Sequence, residues 1–122
     1  LWLRAQQETS ISNKISIYDD ILKAKGDDCE ALTYKADAVL ELGEPQWASN
    51  LCHQALKLDP ENSHAFYQLA CAYTAMHQYE EAVKYLNKAV NKSENYLEDI
   101  KNDPALLPLA DNDSFKSLLN NG

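Results

Sequence analysis

Three histidines, three cysteines and two aspartate pairs are the side chains of this chain best suited to chemistry, and their spacing works against it. His53, His64 and His77 fall on different helices or turns, without the i, i+4 spacing that puts two imidazoles on one helix face for a metal. Asp19-Asp20 and Asp27-Asp28 have the right type for a cation, but helix capping and solvation account for them. Cys29, Cys52 and Cys71 are odd in number and lack CxxC spacing, so they form neither a disulfide framework nor a zinc site. Buried free thiols in a reducing compartment is the reading they support, which makes the expected location cytoplasmic. No GxGxxG, P-loop, HExxH or GxSxG occurs, and no Ser, His and Asp are placed so as to activate a nucleophile. The expectation is therefore no catalytic residue, no metal, no cofactor and no enzyme.

Size and composition narrow the classes further. A chain of 122 residues is one domain with room for a real core. Apolar residues make up 45%, with only three glycines and four prolines, which favours an ordered helical chain over a disordered one. Eleven basic against nineteen acidic residues leave a net charge of −8, the wrong sign for gripping nucleic acid or an anionic membrane. Protein or peptide partners of neutral or basic character are expected. No run approaches the roughly 18 apolar residues of a membrane span, so no direct membrane insertion is expected within this sequence. The chain does not begin with Met and reads as opening partway through a helix, as a fragment would. Leu1-Trp2-Leu3-Arg4 is then either the tail of an upstream anchor or, better, a helix of an incomplete first repeat.

The elements that would position these side chains repeat every thirty-four residues between Cys29 and Tyr96. Ala31-Leu32 returns as Ala65-Phe66, Ala36 as Ala70, Ala38 as Ala72, Ala48 as Ala82 and Ala55 as Ala89. A fixed period in this range marks a helical repeat array, in which each unit buries its apolar face against its neighbours. Residues 1–8 read as a helix remnant. Ser10 or Ser12 then caps a helix whose stripe is Ile11, Ile15, Tyr18, Ile21 and Leu22, ended by Gly26 in the left-handed conformation. Helices follow over 30–42, closed by Gly43, and over 46–58 behind Pro45. Asp59-Pro60 stops the second of these. Asn62 caps a helix to about Met76, His77-Gln78 turn the chain, and 79–91 form its partner. Beyond Lys92 the period fails: Ser93 caps a helix to about Lys101, a short one covers 105–107, and Asp113 caps 114–119. Leu106, Leu107, Leu109, Phe115, Leu118 and Leu119 make this tail apolar enough to cover the end of a stack.

These residues resemble the tetratricopeptide repeat family, whose unit is an antiparallel helix pair of thirty-four residues. Leu32, Ala36, Val39, Ala48, Cys52, Ala55 and Pro60 stand at the signature places of one unit, and Phe66, Leu69, Ala70, Tyr73, Ala82, Leu86 and Ala89 at those of the next. The tail from Asp103 to Phe115 is similar to the end segment of many bacterial members. Lys35 replaces a usual leucine, Glu94 stands where a closing proline would be, and Lys14, Ile21 and Trp2 depart from small-residue places in the first unit. The resemblance implies an all-α fold, an α-solenoid of about two and a half helix pairs with a C-terminal cap. Its parts would be a partial first repeat over 1–28, repeats over 29–62 and 63–96, and a helical cap over 97–122.

In that family the first helix of each pair lines a concave face that binds an extended or helical peptide. The resemblance places Glu30, Thr33, Tyr34, Asp37, Leu40 and Glu41 there, and one period on His64, Tyr67, Gln68, Cys71, Thr74 and Ala75. Independently, these residues fall off the alanine stripe, so helix contact does not need them, and Tyr34 and Tyr67 are amphipathic enough for a binding surface. The family's basic clamp for a carboxylate terminus is not expected. Tyr34, His64 and Gln68 hold its asparagine, lysine and arginine places, and Glu30 and Asp37 beside them would repel a carboxylate. Trp47, on an outer helix, is expected to pack on the preceding unit. The functional expectation is a non-catalytic interaction module, in which Tyr67→Ala weakens partner capture without altering melting. The alternative is a regulatory or oligomerising arm of a larger protein, self-associating or docking through its N-terminal edge.

Overall fold

The computed structural model describes residues 10–121, and the helix remnant expected over 1–8, with Trp2, lies outside them. The described residues are helices and turns without a strand, an all-α fold. In chain order they are α1 (Ile11–Ala24), α2 (Cys29–Glu41), α3 (Pro45–Leu58), α4 (Ser63–Ala75), α5 (Tyr79–Lys92), α6 (Tyr96–Asn102), a 3₁₀ segment (Pro104–Leu109) and α7 (Asp113–Asn121). Short turns fold each helix back on the one before, and α2 also touches α4, so pairs stack side by side.

The ends of these helices follow from local chemistry. Ser10 caps α1 by accepting from Asn13 N, and Asp28 and Asn62 cap α2 and α4 by accepting from Ala31 N and Ala65 N at 3.0 and 2.9 Å. Pro45 opens α3, where its missing N–H costs nothing. Gly26 is not left-handed, contrary to expectation; Lys25 ends α1 in extended conformation. Among the described residues the left-handed ones are instead Gly43, φ 90°, and His77, φ 61°, one period apart. Each closes the same turn. Gly43 N donates to Leu40 O and Glu44 N to Val39 O, while His77 N donates to Thr74 O and Gln78 N to Tyr73 O.

The ten alanines paired by the period, from Ala31 and Ala65 to Ala55 and Ala89, are all buried, none more than 3% exposed. A methyl at each place lets two helices approach closely enough for Leu32, Val39, Leu69 and Leu86 to fill the space between units. In α1 the buried stripe is Ile15, Ile17, Tyr18 and Ile21, with Ile11 and Leu22 half-buried at its edges. Lys35, in a leucine's place, turns sideways: its ammonium lies 2.6 Å from Asp19 and 5.3 Å over the Trp47 ring. Trp47 is thus held by a cation and stays 39% exposed, not packed away on the preceding unit.

The tail lies against α4 and α5 through Leu97, Ile100, Leu106, Leu109, Phe115 and Leu118, whereas Leu107 stays 69% exposed. The short helix expected over 105–107 is the longer 3₁₀ segment, and Asn112, not Asp113, caps α7 by accepting from Phe115 N at 3.0 Å. Glu80 ties α7 to α5, accepting from Asn112 and Ser114.

Candidate functional site

Because Asp28 and Asn62 start α2 and α4 in the same register, residues thirty-four apart occupy equivalent places on one face. That face divides the expected residues into two groups. Glu30, Tyr34 and Glu41 are exposed, as is Ala75, and Asp37, Leu40, His64, Tyr67 and Cys71 are half-buried. Thr33, Gln68 and Thr74 are buried, no more than 2% exposed, so they cannot line a surface. Their hydroxyls and amide are spent internally: Thr33 Oγ1 donates to Glu30 O and Thr74 Oγ1 to Ala70 O.

Gln68 does the most. Its Nε2 donates to Thr33 O at 2.7 Å and faces His64 Nε2 at 3.1 Å, while its Oε1 accepts from the Cys52 thiol at 3.7 Å. A carbonyl accepts only, so the amide orientation is set, and one buried side chain links α2, α3 and α4. The amide nitrogen has only protons to offer, so His64 Nε2 meets it as an acceptor. The same Nε2 lies 3.7 Å from Asp37 Oδ2, a loose approach beyond hydrogen-bond distance.

Aromatic rings meet between neighbouring helices. Tyr18 stacks on Tyr34 at 6.1 Å, Tyr34 meets His64 at 5.9 Å, and Tyr67 stacks on Tyr96 at 5.6 Å. The Tyr67 hydroxyl donates to Asp103 Oδ2 at 2.6 Å, and Tyr96 OH lies 3.1 Å from Ser63 Oγ. Burial first, then the bond to Asp103, pushes the Tyr67 phenol far above its ordinary range, so it remains a donor. Cys71 is likewise raised, by burial and then by the fields of Asp103 and Asp37, and Cys29 is raised by burial and then by Asp59 and Asp28. Cys52 is pushed up to about 12 by burial and then by Asp37. These thiols stay protonated and are poor nucleophiles.

Between α4 and α6 a cavity of about 470 Å³ opens, lined by His64, Tyr67, Tyr96, Glu98, Asp99, Asn102 and Asp103. Only His64 and Tyr67 belong to the expected set; the other five come from the tail, which sequence reading treats as a cover. A signal was present. Leu97 and Ile100 make one buried stripe of α6, which leaves Tyr96, Asp99 and Asp103 on another.

The histidines are apart: His53 Nε2 lies 3.3 Å from Tyr73 OH, and His77 Nδ1 lies 3.0 Å from Tyr79 OH. Among the described residues no group of His, Cys, Asp and Glu is arranged to hold a metal ion, and no helix is long and apolar enough to cross a membrane.

Known proteins share this architecture. The TPR2B domain of yeast Sti1, solved as a TPR2B-domain:pHsp70 complex, superposes with a TM-score of 0.69 at 20% identity, covering 88% of this chain and 84% of that one. The MamA protein superposes with a TM-score of 0.69 at 17% identity, covering 91% of this chain and 57% of that one. Human sperm-associated antigen 1 is 30% identical over 83 residues, which span 68% of this chain but 9% of that protein. Residues 7–89 match the model of the family described as anaphase-promoting complex, cyclosome, subunit 3. With that match over a stack of thirty-four-residue helix pairs, the chain belongs to this family and is a tetratricopeptide repeat domain.

Proposed function

We propose that the chain is a non-catalytic protein-interaction module that holds a neutral or basic peptide segment along the face shared by α2, α4 and α6. One observation carries the reading: that face is aromatic and acidic, with no free cation from α2 or α4. Glu30, Asp37 and Glu41 stand on α2 beside Tyr34, and Glu98 and Asp99 on α6 beside Tyr67 and Tyr96. The single lysine of α2, Lys35, is engaged by Asp19 and Trp47, and α4 has neither lysine nor arginine.

The fold supports the class of function, since the TPR2B domain of yeast Sti1 is seen in a complex with pHsp70. The side chains argue for a different ligand charge. At the clamp places Gln68 is buried and bonded inward, and Tyr34 and His64 stand in place of the asparagine and the lysine. A preformed surface of this kind incurs little ordering cost on binding.

An array of short blocked peptides differing in net charge tests the reading. Neutral and basic peptides should be retained over acidic ones, and the basic signal should fall as salt rises past about 0.15 M, where charges are screened beyond about 8 Å. Retention of acidic peptides above basic ones, or of none, would contradict it.

A further inference from the structure

The cavity between α4 and α6 does not follow from the repeat itself. The tail builds it, by laying Tyr96 on Tyr67 and bringing Asp103 under the Tyr67 hydroxyl. Its lining joins a mutually stacked tyrosine pair to an acidic rim, and the carboxylates of that rim have unequal duties. Asp103 is fully used, Oδ2 accepting from Tyr67 and Oδ1 from Ala105 N at 2.9 Å. Asp99 makes no hydrogen bond or ion pair with the described residues, and Glu98 has only a loose 3.8 Å approach from Lys101. Asn102 turns its amide nitrogen onto Glu98 O at 2.9 Å, leaving its own carbonyl oxygen as an acceptor. The free groups are therefore acceptors or anions around flat rings, within a space of about 470 Å³.

We infer that this cavity is a socket for one arginine side chain of the bound peptide, an assignment that rests on the peptide-holding reading above. A guanidinium is planar, so it lies on an aromatic face, and its fork of donors meets two carboxylates at once. A lysine ammonium matches the charge but not the plane. Tyr67 and Asp103 are positioning residues: their bond holds Tyr96 and the start of the 3₁₀ segment where the socket needs them. Specificity then comes from the cap and not from the repeated helices, so a stack with another tail would hold the same peptide with different preference.

The test uses the whole chain and a library of blocked peptides of one mixed neutral background. One position at a time is arginine, lysine, citrulline or norleucine, and binding is read by fluorescence anisotropy. At one register the wild type should prefer arginine to citrulline about five- to tenfold, the sum of an exposed ion pair and a cation–π contact. Glu98→Gln with Asp99→Asn, both exposed and nearly isosteric, should abolish that preference, bringing arginine peptides down to the affinity of citrulline peptides. Preference surviving in the double variant, or no discrimination between arginine and citrulline by the wild type, overturns the socket alone. Failure of every peptide to bind overturns both the socket and the groove.

Discussion

Gln68 donates its amide proton to the backbone carbonyl of Thr33 at 2.7 Å, across thirty-five residues and from inside the stack. A single polar side chain thereby sets the distance between the two helices that carry the candidate face. Because it is buried, both its nitrogen and its oxygen need partners, and it has them in Thr33, His64 and Cys52.

Replacing Gln68 separates geometry from charge. Gln68→Met keeps the volume and loses the bonds, for an expected cost of about 1–3 kcal/mol. Gln68→Glu puts a carboxylate against a carbonyl and should cost more, about 3–5 kcal/mol for an unpaired buried charge. Urea unfolding of the two variants checks the order. Equal midpoints would mean that the amide is not the donor described.

Left-handed turns give a paired prediction. At Gly43 a Cβ would meet nothing within 4 Å, so Gly43→Ala tests the backbone alone, with φ at 90°. It should destabilise by about 1–2 kcal/mol. His77→Gly relieves the same strain and should stabilise, less the lost contact with Tyr79. Thermal melts of opposite sign are the expected outcome.

Tyr67 cannot be the neutral surface probe that its sequence context suggests. It is half-buried, stacked on Tyr96 and bonded to Asp103, so Tyr67→Ala should lower the melting temperature as well as binding. Tyr67→Phe keeps the ring and removes a bond to a charged acceptor, worth about 1.5–3 kcal/mol. Hydrogen exchange should quicken over residues 96–109 and stay unchanged in α2. Uniform acceleration would show that the tail is not held separately.

The thiols set the alkaline limit. Cys52 has a folded value near 12 against 9.0 unperturbed, raised by burial first. Its contribution is fully present below pH 9.0 and is lost as pH rises toward 12, because the unfolded chain then gives up a proton the folded chain keeps. Each such group adds a slope of about 1.4 kcal/mol per pH unit. Cys71 and Tyr67, raised the same way, steepen the loss. Denaturation curves between neutral and alkaline pH should show this fall, and Cys52→Ala should flatten it.

Ala70 of α4 is fully buried in the apolar cluster that α4 shares with α5 and the tail. Ala70→Asp should leave the domain unfolded at ambient temperature, visible as loss of far-ultraviolet ellipticity. A wild-type melt would contradict the close helix approach.

The helices were readable from the chain because their causes are local. Caps at Asp28 and Asn62, Pro45 at a first position and alanines at a fixed period each act within a few residues or repeat identically, and each appears where expected. Gly26 and Asp113 are the local exceptions, where a neighbour, Lys25 or Asn112, ends or caps the helix instead.

The face itself needed the third dimension. Periodicity places Thr33, Gln68 and Thr74 off the alanine stripe, yet all three are buried; for Gln68 and Thr33 the cause is that α2 and α4 meet side by side and cover what a lone pair would expose. Once the repeat ends at Lys92, no period directs the chain. That Tyr96 and Asp103 return to Tyr67 is decided by Leu97, Ile100 and Leu106 seeking the uncovered apolar end of the stack. Sequence alone thus determined the repeated scaffold, through short-range rules copied once per unit. Packing between distant segments decided the pocket, since burial of apolar surface has no direction until the partner surface exists.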